Sequence, residues 1–143
     1  MKKIEKLISI SLMVVMVLFV NSCKQNDDED SGDEYIAPIS KVFTTDNTVN
    51  GDRYIETITA LFYKNIYSFE KRTGVTYDKN YEIDVTESVN ACYSEIAEFM
   101  ISGGYVIAEA NSTGTKNGNP LSTTNCYRRN GNKYYLNSNI YYR

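Results

Sequence analysis

Cysteines, a cluster of acidic side chains and a tyrosine-rich, basic C-terminal stretch are the residues here whose chemistry depends on where they are held. Cys92 and Cys126 are expected to pair in a disulfide, because the export signal described below delivers the chain to oxidising surroundings. Closing that loop would restrict the unfolded chain by about 3–4 kcal/mol on the entropy model. Catalytic redox use is not expected, since no Cys-x-x-Cys spacing is present and no imidazole is available to lower a thiol pKa. Glu82, Asp84, Glu87, Glu95 and Glu98 could supply the facing carboxylate pair that glycosidic cleavage needs. Glu95 and Glu98, however, alternate with Ile96 and Phe99 as residues on a solvated helix face do.

Asp46, Thr48, Asn50, Gly51 and Asp52 are similar in spacing to the start of an EF-hand calcium loop. Thr48 stands at its third position and Thr57 at its twelfth, where a bidentate glutamate belongs, so a turn that caps a helix is expected instead of a metal site. The chain contains no histidine and no tryptophan. Imidazole-based triads and imidazole-ligated zinc or haem are therefore beyond this chain acting alone. No catalytic, cofactor or metal residue is expected.

The candidate binding face is formed by Lys133, Tyr135, Asn137, Asn139, Tyr141 and Arg143, which share one side of an expected strand. Tyrosine offers a large contact area at low entropic cost and a hydroxyl for hydrogen bonding, and a glycan or an envelope protein suits such a face. A plain solvated sheet face explains the same residues. The extracytoplasmic address and the lack of a concentrated basic patch argue against nucleic acid.

That address is read from the N-terminus. Lys2, Lys3 and Lys6 precede an apolar run from Leu7 to Val20, broken only by Ser9 and Ser11. A spanning helix needs about 20 apolar residues, and this run is shorter and soon followed by charge. Val20-Asn21-Ser22-Cys23 resembles the lipobox of bacterial lipoproteins, with Asn21 where a small residue is more usual. The resemblance implies cleavage before Cys23, diacylglycerol on its sulfur and a further acyl chain on its new amino group. Two or more chains anchor stably, because each buried methylene contributes about 0.8 kcal/mol and one chain is marginal. Lys24 to Asp30, with Asp27, Asp28, Glu29 and Asp30, resembles the acidic export signal of Bacteroidota-type lipoproteins. That likeness implies display on the outer face of the outer membrane rather than toward the periplasm.

Three segments are thus expected: a lipoprotein signal peptide over 1–22, an acidic disordered tether over 23–34, and one small domain over 35–143. The net charge of -3 hides a basic C-terminal quarter: Lys116, Arg128, Arg129, Lys133 and Arg143 lie after residue 111 without an acid. Ile55, Ile58, Phe62, Ile66 and Phe69 recur at steps of three and four, which predicts a helix from Asp52 to Arg72, closed by Gly74. A second helix is predicted from Val85 to Ser102, with Val85, Val89, Cys92, Ile96 and Phe99 on its inner stripe and Gly103-Gly104 as its stop. Val75 to Ile83 reads as a short strand or an extended loop.

Tyr105 to Ala110 reads as a strand, Asn111 to Pro120 as a polar loop, and Leu121 to Arg128 with Lys133 to Tyr142 as a hairpin. The register of that hairpin decides which face Cys126 takes. A three-residue loop, Asn130-Gly131-Asn132, is favoured because it places Cys126 with Tyr134, Leu136 and Ile140 on the apolar face, where Cys92 can reach it. The expected fold class is α+β, two amphipathic helices on a three-stranded antiparallel sheet with room for a fourth strand. The expected function is a surface-anchored, non-catalytic binding or interaction domain. Its rivals are a small carboxylate-dependent hydrolase or lyase of the cell envelope and a passive structural or inhibitory partner of an envelope protein.

Overall fold

The computed structural model describes residues 32–140. The lipobox Val20 to Cys23, the tether up to residue 31, and Tyr141 and Arg143 lie outside the described residues. Six strands form one antiparallel sheet: β1 Ile39–Val49, β2 Asp52–Tyr63, β3 Glu82–Asp84, β4 Ile107–Lys116, β5 Asn119–Asn130 and β6 Lys133–Asn137. Their spatial order is β1-β2-β4-β5-β6-β3. Three helices, α1 Ile66–Thr73, α2 Thr86–Cys92 and α3 Ser94–Gly103, fall between β2 and β4, and a 3-10 turn Lys79–Tyr81 leads into β3. The expected three- or four-stranded sheet with two helices is therefore corrected to six strands and three helices among the described residues.

The helix predicted from Asp52 is not formed over its first twelve residues. Residues 52–63 are a strand because Asn50 and Gly51, with φ of 52° and 85°, make the two-residue turn that joins β1 to β2. Ile58 and Phe62 fit both periods, and the inward residues between and before them, Ala60 and Glu56, hide the alternation. Ile55, Thr57, Ile58 and Thr59 are β-branched and favour a pleated surface. Only the end of the predicted helix survives, as α1. Asn65 caps it by accepting from the Ser68 amide at 2.8 Å, and Gly74 closes it at φ 74°. Asn117 and Gly118, at φ 51° and 84°, make a second such turn. The polar loop expected over 111–120 is thus strand, turn and strand.

Helices α2 and α3 follow the predicted second helix but break at Tyr93. They cover one face of the sheet, where Ile58, Ala60, Phe62, Val89, Ile96, Ala97, Met100 and Tyr134 form the main core. Phe62 is its centre, with ring centroids 4.6 Å from Phe99, 5.6 Å from Tyr105 and 6.2 Å from Phe43. A smaller core of Tyr63, Phe69, Tyr77, Ile107 and Cys126 lies on the opposite face, beneath α1 and the segment that follows it.

The β5–β6 turn decides the fate of the cysteines. Asn130 pairs with Lys133, so Gly131 and Asn132 are the turn, and Gly131 at φ 62° takes the first position of a type II′ turn. Arg128 then faces Tyr135 across the pair, and the favoured three-residue loop is not formed. Cys126 points into the smaller core, whereas Cys92 ends α2 on the other face. Both are thiols, and the expected disulfide is not made because the sheet separates them.

Candidate functional site

The hairpin face does not survive as one surface. Tyr135 is half-buried, with the Arg128 guanidinium 5.0 Å from its ring centroid. Asn137 is 1% exposed: its side-chain amide donates to the Asp78 carbonyl at 2.9 Å and its carbonyl oxygen accepts from the Asn139 amide. Lys133 is exposed and lies 3.7 Å from Asp84, and Asn139 is exposed beyond the end of β6. The face is covered in the middle because the residue 75–81 segment packs there.

The acidic residues do not converge either. Glu82 forms a two-pronged pair with Arg128, at 2.6 Å to Nε and 2.9 Å to Nη2, and also accepts from the Tyr77 hydroxyl at 2.7 Å. Asp84 accepts from the Thr86 amide and hydroxyl, which holds its carboxyl below the ordinary value. Glu87, Glu95 and Glu98 are exposed. Asp46 is bound to Arg53 at 2.6 Å and Asp52 accepts from Asn117, so the calcium-like segment is a hairpin end. Among the described residues no cluster of His, Cys, Asp or Glu could hold a metal ion.

Two features lay outside the sequence reading. The first is the open sheet face beyond the smaller core. Strand registers align three rows across β1, β2, β4 and β5: Val42-Thr59-Asn111-Thr124, Thr44-Thr57-Thr113-Ser122 and Asp46-Ile55-Thr115-Pro120. All are exposed except Thr115, which is half-buried. The rows stand about 6.8 Å apart along the strands and their members about 4.8 Å apart across them. The Thr-x-Thr pairs at 57 and 113 and Ser122-x-Thr124 were visible as alternation once the two Asn-Gly turns were recognised. At the same edge β1 has no neighbouring strand among the described residues on one side of its backbone, beside exposed Ile39 and Val42.

The second feature is Glu56, 4% exposed in mid-β2 beneath the α2–α3 joint. Tyr93 donates to its Oε2 at 2.9 Å and Ser112 to its Oε1 at 2.8 Å. No lysine or arginine among the described residues pairs with it. Burial, and then the bond to Glu56, push the Tyr93 hydroxyl far above the ordinary tyrosine range. Burial likewise raises Tyr127. The partners of Glu56 lie 37 and 56 residues away in sequence, so no local spacing could reveal the cluster.

No family model, curated protein or solved structure matches this chain.

Proposed function

We propose that the chain is a lipid-anchored envelope protein whose small domain is a non-catalytic binding module, displayed at the surface of the outer membrane. The observation that carries the binding reading is the open face of β1, β2, β4 and β5, three aligned rows of mainly hydroxyl, amide and small apolar side chains, with Asp46 paired to Arg53 at one end and no helix among the described residues over them. Such a surface costs little to desolvate in comparison with one of lysines and glutamates, and its threonines lose little rotamer freedom on contact. Val42 and Ile55 supply apolar area within it. Aromatic rings, the stacking platform a sugar would need, are absent from the rows, so an envelope protein is the favoured partner over a glycan. The anchor rests on Val20 to Cys23 and the export address on the acidic run after it.

The test has two arms. A Cys23→Ala chain in cells should lose palmitate labelling and membrane attachment, and protease added to intact cells should remove the wild-type domain. Protection from protease with lipidation intact would turn the domain toward the periplasm. A photo-crosslinker at Thr57 should capture a defined envelope partner, absent with the probe at Glu98 on the helix side, and Thr113→Arg should abolish capture. Equal capture from both positions, or none, would refute the open face as the binding surface.

A further inference from the structure

Beside Glu56 and behind Tyr93 lies a cavity of about 10 Å³, at the threshold for holding one water molecule. Its polar wall is Tyr93, Ser112, Asn125 and Tyr127, and Ile58 and Ile96 close the apolar side. Glu56 does not line it but sets its polarity. A hydroxyl has one proton to donate, and both Tyr93 and Ser112 give theirs to Glu56. What those oxygens offer the cavity is lone pairs. The Tyr127 hydroxyl oxygen is a further acceptor on that wall. Behind this wall stands a buried carboxylate whose hydrogen-bond partners among the described residues, Tyr93 and Ser112, are neutral, a costly arrangement that a nearby cation would relieve.

We propose that this cavity binds a single ammonium ion. Three N–H donors meet acceptor oxygens, the charge is balanced by Glu56 through the two hydroxyls, and the size suits one nitrogen. Tyr93 sits at the break between α2 and α3 and reaches Glu56 from the helix layer, so it forms the wall on that side. The site lies on the helix side of the sheet, apart from the open face, and stands or falls separately from that surface.

The full chain, purified in detergent, should be titrated at constant ionic strength with ammonium, methylammonium, tetramethylammonium and sodium chlorides while Tm is recorded. Ammonium should raise Tm saturably, on the order of 5 °C near saturation, and methylammonium, tetramethylammonium and sodium should not. Glu56→Gln keeps the size of the side chain and should remove the response. Ser112→Ala should weaken apparent affinity about tenfold, the loss of one hydrogen bond to a charged group. The proposal is overturned if the four cations act alike, if the response never saturates, or if Glu56→Gln responds as wild type does. Should that variant fail to fold, the discrimination among cations in the wild-type chain decides.

Discussion

Arg128 and Glu82 show what one buried pair does for a domain of this size. Their side chains are 6% and 8% exposed, and they tie β5 to the first residue of β3. Removing one partner leaves the other charge buried, so Glu82→Ala should cost about 3–5 kcal/mol, read as a lowered urea midpoint. A loss under about 1 kcal/mol would mean that solvent reaches the pair. Tyr77, Tyr93 and Tyr127 carry a pH consequence. Burial raises each above its unfolded value, so the folded chain holds these protons longer than the unfolded chain does. Stability from them is complete below about pH 10 and falls as pH climbs above it, because the unfolded state then releases protons first. Tyrosinate absorbance and circular dichroism should change together in alkali; early ionisation of all tyrosines with the fold intact would contradict this. At this scale little of the site was legible. Glu82 counts among the candidate paired carboxylates in the sequence because nothing near it announces Arg128, 46 residues on. Glu56 drew no notice because an acid among threonines looks solvated.

Elements were legible where their punctuation was local. Gly74 and Gly104 close α1 and α3 in the left-handed conformation as expected, and the apolar stripe Val89 and Ile96 faces the core. What failed was the choice between periods of two and near four over residues 52–63, and a turn one residue out of place at Gly131. Each misplacement carried side chains across the sheet: the first hid the open face, and the second joined two cysteines that the strands keep apart. The β2–β4 pair contains a further constraint. A methyl group on Gly114 would come within 1.9 Å of the Ile55 carbonyl oxygen and 2.8 Å of the Glu56 Cα. Backbone cannot yield as a flexible side chain does, so Gly114→Ala should push β4 from β2 and cost about 1–3 kcal/mol in urea denaturation. An unchanged midpoint would show that the strands separate there without penalty.

The molecule as a whole is one sheet clad unevenly: α2 and α3 on one side, α1 and residues 75–81 over part of the other, and a bare quarter between β1 and β5. Its two margins differ. One is β3, three residues long, fixed to β6 and with Glu82 engaged below it; the other is β1, eleven residues without a neighbour on its outer side among the described residues. Unpaired strand margins invite addition, and proteins shorten or charge them to prevent it. Here one margin is short and the other is not. Growth by strand addition has a single direction in consequence: two chains meeting antiparallel through β1 would use up both long margins and present only β3 at either end. Association of that kind stops at a pair, because the short β3 margins offer little backbone to extend.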